Sequence, residues 1–489
     1  MELQFKGLPY PQGSVNASVN ADEIRDALIA TSCGDESTSV ETLNTTDVDT
    51  TDERRATALI ETVSDDEIDR VKALLDTNVD IDSGIMDEDG FTLLTLAASI
   101  GQTACSKADL NVANKNRDTA AIQVACEGYP ECLQLLLDAK ADMDVTNTDR
   151  DMAFLVAARK GHTGCLQLLL DVKSDIGAVD QNGNTALTLA ACNGHTGCLQ
   201  LLLDANADVN AANKDGVTAL IAAAWYGHTE CLQLLLYLKA DISAANKKSD
   251  SALIVAAWKG HPECLQLLLN AKADLDVTNK DGNTAFIAAA WYGHTECLQL
   301  LLDVKADIGA ANQNGDTAVI LAALEGHTGC LQLLLDVKSD INAVNKEGDI
   351  ALTVAALNGH SECLQLLLDA KADIGAANQN GDSALTLAAF QGHTGCLSLL
   401  LDVKSDIDAV NKDGDTALIL SATEGHSECL QLLLESKADI DVMNRDGETA
   451  LMSAAVRGHT GCLQLLLDFK AAIGAPDQNG DTTLTGGDL

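Results

Sequence analysis

The sequence predicts an all-α chain built from stacked, nearly identical helical units, and two observations lead to this fold class. One pattern recurs every 33 residues, and all ten histidines of the protein follow a glycine at that step, from His162 to His459. Eleven cysteines keep the same spacing, from Cys132 to Cys462. A fixed period of this size indicates a solenoid, because one unit buries its apolar surface only against its neighbours.

Each unit is predicted to contain a polar turn followed by two short antiparallel helices, as in residues 213–245. The turn carries Gly216 where a positive φ is expected. Thr218 precedes the first helix, whose apolar face is narrow and made mostly of small side chains, and Gly227 ends that helix. The second helix contains Cys231–Leu236, and its many leucines predict a wide apolar face.

The motifs of this unit resemble those of the ankyrin repeat. They are the D-G-x-T-x-L start, the A-A-x-x-G-H turn, the L-L-L helix and the A-D-I/V ending, and they cover residues 114–476 as eleven tandem units. The resemblance implies L-shaped units with short hairpin loops, stacked into a curved ankyrin-repeat solenoid. It also implies a protein that binds other proteins, since this is the usual role of the family.

Two departures from the family pattern are expected to cost stability. The family's T-P-L-H reads T-A-L-I at Thr218, so a favourable helix-start proline and a polar tether between repeats are missing. The Gly of G-A-D is replaced by Lys in every full unit except one, which has Asn206. A left-handed backbone at a residue with a side chain costs about 1 kcal/mol per site. Arg117, Arg150 and Ser249 likewise replace the turn glycine.

The regions around the array are less regular. Residues 1–51 are predicted to be a disordered, acidic and Ser/Thr-rich tail, either simply solvated or phosphorylated. Residues 52–86 fit a degenerate capping repeat. Residues 87–113 form a truncated repeat without its second-helix leucines, which indicates either a bend, gap or joint, or an error in the gene product. Residues 477–489 start a repeat without completing it, so we expect another element or further chain to cover that end.

Composition excludes several classes of function. The net charge is −42, from 31 basic and 73 acidic residues. Binding of nucleic acid or of an anionic membrane surface needs a surplus of Lys and Arg, so neither is expected. No apolar stretch is long enough for a signal peptide or a membrane span. The acidic surface serves solubility or steers a basic partner.

The cysteines and histidines are predicted to be structural. Equivalent cysteines lie one repeat apart, about 8–10 Å between packed helices, whereas a disulfide needs Cα atoms within about 7 Å. We therefore expect free, buried thiols in a reducing, intracellular compartment, cytoplasmic or nuclear. The His-x-x-Cys pairs do not converge as a zinc site requires, and the histidines are interpreted as part of the turn between the helices. No metal, cofactor or catalytic motif is predicted, so the chain is not expected to be an enzyme.

The candidate site is the pair of residues between A-A and G-H, where the units differ most. In the ankyrin family this end of the first helix faces the concave groove. All three tryptophans of the protein fall at this position in consecutive units, and stacking would align them as an exposed aromatic strip. Arg159, Lys160 and Lys259 add positive charge, which suits an acidic-aromatic or peptide-like partner. The residues expected to bind a partner are Trp225, Tyr226, Trp258, Lys259, Trp291, Tyr292, Leu324, Leu357 and Phe390. The alternative is that recent copying spread a neutral aromatic residue, or that the rings pack against the hairpins.

The function predicted from the sequence is a non-catalytic scaffold that binds a protein or peptide through its concave face. A second interpretation is that the repeats regulate a larger enzyme or channel whose other domain is absent from this chain. A third is a drifting array without a selected partner, which near-identity among the units also allows.

Overall fold

A computed structural model of the protein describes residues 110–471. The expectations for residues 1–51, 52–86, 477–489 and most of 87–113 therefore lie outside the described residues. Within 110–471 the regular elements are helices in eleven consecutive pairs, which confirms the predicted all-α repeat fold. In chain order they are α1 Ala120–Glu127, α2 Pro130–Asp138, α3 Ala153–Lys160, α4 Thr163–Asp171, α5 Ala186–Cys192, α6 Thr196–Asp204, α7 Ala219–Tyr226, α8 Thr229–Tyr237, α9 Ala252–Lys259, α10 Pro262–Asn270, α11 Ala285–Trp291, α12 Thr295–Asp303, α13 Ala318–Leu324, α14 Thr328–Asp336, α15 Ala351–Leu357, α16 Ser361–Asp369, α17 Ala384–Gln391, α18 Thr394–Asp402, α19 Ala417–Glu424, α20 Ser427–Glu435, α21 Ala450–Arg457 and α22 Thr460–Asp468.

The first helix of each unit is defined by local signals that the sequence already contains. In α7 the Thr218 hydroxyl accepts a hydrogen bond from the amide of Ile221 at 3.4 Å, so the threonine still caps a helix that has lost its proline. Gly227 ends the same helix with φ 75° and donates its amide to the carbonyl of Ala223. These bonds satisfy backbone groups that a helix seven or eight residues long would otherwise leave open.

A hairpin joins each unit to the next, and hydrogen bonds link consecutive hairpins to each other. The side-chain oxygen of Asn213 accepts hydrogen bonds from the amides of Asp215 and Val217, both at 2.9 Å. The amide of Lys214 donates to the carbonyl of Asn182, in the preceding hairpin, at 3.0 Å. Equivalent bonds recur along the described array, so the hairpin tips form a continuous edge.

The predicted left-handed residues are confirmed. All ten lysines and Asn206 at the former glycine of G-A-D have φ between 59° and 70°. Arg117, Arg150 and Ser249, which replace the turn glycine, have φ of 64°, 62° and 64°. Each of these positions holds a side chain in a conformation that favours glycine, so the strain expected from the sequence is present.

The widths of the two apolar faces were predicted the wrong way round. Every residue from Ala219 to Ala224 in α7 is at most 1 % exposed, so these six residues are buried on all sides of the helix. In α8 only Cys231, Leu232 and Leu235 are fully buried. The reason is position: the first helix packs against both neighbouring first helices and its own second helix, whereas the second helix turns one side to solvent.

The histidines hold neighbouring units together rather than serving only the turn. Each of the ten places its Nε2 near the carbonyl oxygen of the residue 36 positions earlier, which is the last or next-to-last residue of the first helix of the preceding unit. Because the carbonyl only accepts, Nε2 carries the proton and donates. The glycine of each Gly–His pair packs against the histidine of the next unit. A Cβ on Gly227 would lie only 2.6 Å from Nδ1 of His261, so the glycine leaves the space that this ring fills. The polar tether expected to be lost with T-P-L-H is thus supplied from another position.

Candidate functional site

The candidate site lies at the C-terminal ends of three adjacent first helices, α7, α9 and α11. The histidine tethers hold these ends in place, because the carbonyls of Trp225, Trp258 and Trp291 are the ones that accept from the next units, at 3.1, 2.8 and 3.0 Å. The first helices pack directly on one another, so the variable side chains of consecutive units lie in a row.

Four aromatic rings in this row form one connected group, which we call the aromatic cluster: Trp225, Trp258, Tyr292 and Trp291. The Trp225 and Trp258 rings meet edge to face, with centroids 4.8 Å apart and planes 82° apart. Trp258 lies 5.5 Å from Tyr292, which in turn lies 5.4 Å from Trp291. These spacings are those of favourable aromatic pairs, so the cluster is a single packed surface across three repeats.

Lys259 lies over the first half of the aromatic cluster. Its Nζ is 4.3 Å from the ring centroid of Trp225 and 4.4 Å from that of Trp258. Both distances are within the range of a cation–π interaction, so two indoles hold one ammonium group. Burial among the rings lowers the pKa of Lys259 from its ordinary value.

The exposure of these side chains corrects the expectation of an open tryptophan strip. Trp258 is buried beneath its neighbours and only 9 % of its surface is exposed, while Trp225 and Trp291 are half-buried. Tyr226 and Tyr292, the second residues of their pairs, are 53 % and 40 % exposed. The surface open to a partner is therefore formed mainly by Tyr226, Tyr292 and Lys259. The indoles pack against Tyr292 and Lys259. The Tyr226 ring stacks instead on His228 of its own unit, with centroids 6.2 Å apart.

The far end of the aromatic cluster is acidic. The indole Nε1 of Trp291 donates to Glu325 at 3.3 Å. The pKa of Tyr292 is raised, chiefly by burial; a hydrogen bond from Trp258 opposes this, and the nearby carboxylates of Glu325, Asp250 and Asp281 add to it. Asp250 and Asp281 belong to hairpins, so the hairpin edge borders the aromatic cluster.

The other three predicted residues continue the row without joining the rings. Leu324 and Leu357 end α13 and α15 and are half-buried. Phe390, in α17, is 38 % exposed. The structure places all three at the position equivalent to the tryptophans in the next three units, so they extend the apolar row beyond Glu325.

Comparison with known families identifies the repeat. Profiles described as ankyrin repeats (3 copies) match residues 102–178, 154–246, 236–312, 305–378 and 352–444, and a profile described as ankyrin repeat matches residues 446–478. The chain belongs to the ankyrin repeat family. Ankyrin repeats are protein–protein interaction modules. No curated protein matched the sequence.

One cation expected at the variable position of the ankyrin array is already engaged. Arg159 occupies the place of the tryptophans in α3 and pairs with Asp151 through both guanidinium ends, with Nη2 2.7 Å from Oδ1. It also reaches Asp180 of the next hairpin at 3.4 Å. Both aspartates are buried, and burial raises the pKa of Asp151 even though Arg159 opposes the rise. Arg159 therefore neutralises hairpin carboxylates, while the neighbouring Lys160 is exposed.

The cysteines of the described ankyrin units are free thiols, and those of the regular ladder are buried. Burial raises the pKa of Cys198 to about 11 and that of Cys297 to about 12, so both stay protonated. Among residues 110–471 no three His, Cys, Asp or Glu side chains are grouped as metal ligands. None of the described helices has the length and apolarity needed to cross a bilayer.

Proposed function

We propose that this ankyrin array is a non-catalytic scaffold that binds another protein through its concave face. The partner lies along the row of variable residues and contacts Tyr226, Lys259 and Tyr292. Leu324, Leu357 and Phe390 lengthen the contact. The observation that carries this proposal is the aromatic cluster, because a packed group of Trp and Tyr rings with exposed edges has the composition of a binding hot spot.

The side chains at the site are already held in place, which also favours binding. Immobilising a flexible side chain at an interface costs about 0.5–1.5 kcal/mol. Here Tyr292 packs against Trp258 and Trp291, and Lys259 is held over Trp225 and Trp258, so these two side chains have little freedom left to lose when a partner binds. A packed surface of this kind is suited to a defined partner. Because its described thiols are free, we place the protein in a reducing, intracellular compartment.

The experiment is capture of partner proteins by the full chain, compared between matched tyrosine variants. Tyr226→Ala with Tyr292→Ala removes the exposed part of the site. Tyr237→Ala is the control, since this tyrosine is 80 % exposed at the end of α8, the second helix of the same unit as Tyr226. The double variant should lose about tenfold or more in affinity for the captured protein, while the control should not.

The interpretation depends on which variant loses the partner. Equal capture by the double variant and the wild-type protein would remove the site assignment. Loss in the Tyr237→Ala control would move the binding surface to the second helices. Urea unfolding of each variant, followed by circular dichroism, checks that the array remains folded.

A further inference from the structure

The aromatic cluster lies in the least acidic part of the array. Residues 213–292 contain seven lysines and eight acidic residues, a net charge of −1, in a chain whose total is −42. The hairpin tips of the same three units present Lys214, Lys247 and Lys280 to solvent. A carboxylate near this stretch therefore meets much less repulsion than elsewhere on the protein.

One of the nearby carboxylates is sealed. Asp250 is fully buried, and its two oxygens accept hydrogen bonds from Asn246 at 3.0 Å and Asn279 at 2.9 Å. Its charge is therefore stabilised by hydrogen bonds inside the hairpin stack and does not face a ligand. Lys259 is the cation nearest the rings, and no carboxylate of the described residues lies within salt-bridge distance of it.

The position of Lys259 also indicates which ligands the rings do not take. An aromatic group alone would suit a cationic ligand, because ring faces attract ammonium groups. Here the faces of Trp225 and Trp258 already hold the chain's own ammonium. A second cation would have to displace Lys259 or approach it against repulsion. An anion approaches a cation that is held in place, so pairing costs little side-chain entropy.

We propose, building on the proposed function, that the partner is an acidic peptide segment, with an Asp or Glu carboxylate beside Lys259 and an apolar side chain against Tyr226 or Tyr292. Glu325 gives the segment a direction. Because Glu325 accepts from Trp291 at the opposite end of the aromatic cluster, the partner's carboxylate lies toward Trp225 and its neutral or basic residues lie toward Trp291.

The test is selection of random linear peptides displayed on phage, using the full chain as bait. Lys259→Glu reverses the charge between the indoles. Lys259→Met is the second variant, because it removes the charge and keeps an unbranched stem against the rings. Lys412→Glu is the matched control, since this lysine is exposed on a hairpin tip five units further along. Urea unfolding confirms that each variant is folded.

The wild-type protein and Lys412→Glu should enrich peptides rich in Asp and Glu. Lys259→Met should lose this preference, and Lys259→Glu should enrich Lys and Arg instead. A synthetic peptide selected on the wild type should bind Lys259→Glu at least tenfold more weakly, and its affinity should fall with salt.

The outcomes separate the two proposals. Enriched peptides without an acidic bias that still require Tyr226 and Tyr292 would overturn the acidic partner and leave the docking surface standing. Enriched peptides that bind equally well without these tyrosines would overturn the docking surface itself.

Discussion

Replacing the left-handed lysines with glycine should stabilise the array. Lys239, Lys272 and Lys305 have φ of 60°, 62° and 62°, and their side chains are exposed. Each donates its amide to the carbonyl three residues earlier, at 3.1, 3.0 and 2.9 Å, and glycine keeps this bond. The substitution therefore changes the backbone preference and a surface charge while removing little packing.

The expected gain is the difference between two backbone terms. A left-handed conformation costs a residue with a side chain roughly 1–2 kcal/mol. Glycine lowers the stability by about 0.5–1 kcal/mol, because it makes the unfolded chain more flexible. The net gain is about 0.5–1 kcal/mol per site, and about 2 kcal/mol for the three together if the sites are independent.

Tryptophan fluorescence during urea unfolding measures this gain where it occurs. Trp225, Trp258 and Trp291, the only tryptophans of the protein, lie in the same three units as the substituted lysines. A local signal is needed because long repeat arrays need not unfold in one step. The midpoint of the fluorescence transition should move to higher urea in the triple variant.

Two other lysines give a control of opposite sign. Lys247 and Lys280 are exposed on hairpin tips of units that carry Trp258 and Trp291, and they do not have positive φ. Glycine at these sites adds only flexibility to the unfolded chain, so it should lower stability by about 0.5–1 kcal/mol each. Loss of stability at the three left-handed sites, or equal behaviour of both sets of variants, would show that these lysines are not strained.

Three more predictions concern buried polar groups. Arg159→Ala should destabilise its region by about 3 kcal/mol, the low end for breaking a buried pair because the guanidinium is partly exposed, whereas Lys160→Ala should change little in urea unfolding. Burial lowers the folded-state pKa of His195 and His294 below 6.5. Their contribution to stability should therefore be complete above pH 6.5 and decrease as the pH falls through the lowered pKa values. Unfolding midpoints that rise on acidification through this range would contradict this prediction. The Cys297 thiol should react with a thiol reagent only as fast as its unit opens, and rapid labelling of the folded protein, read by peptide mass spectrometry, would disagree with its burial.

Signals within one unit could be predicted from the sequence. The Thr218 cap, the Gly227 helix end and the left-handed Lys239 depend on residues within a few positions of each other. Their conformations follow from steric preference and local hydrogen bonding. The 33-residue period then supplied the stacking, so the fold class and the row of variable residues followed without further information.

Contacts between units could not be predicted in the same way. The hydrogen bond from His261 to the carbonyl of Trp225 joins residues 36 apart, and neither residue type indicates the bond by itself. The burial of Trp258 depends on rings from the units before and after it. The width of the first-helix face depends in the same way on two neighbours, since small side chains permit close packing without specifying how many sides are covered.

The most direct test of the docking surface is intrinsic tryptophan emission during titration with a bound peptide or partner that lacks tryptophan. All three emitting residues belong to the aromatic cluster, so the signal arises only there. We predict a saturable change in emission with the same midpoint as the binding curve, lost in the variant that combines Tyr226→Ala and Tyr292→Ala. Saturated binding with unchanged emission would contradict the account.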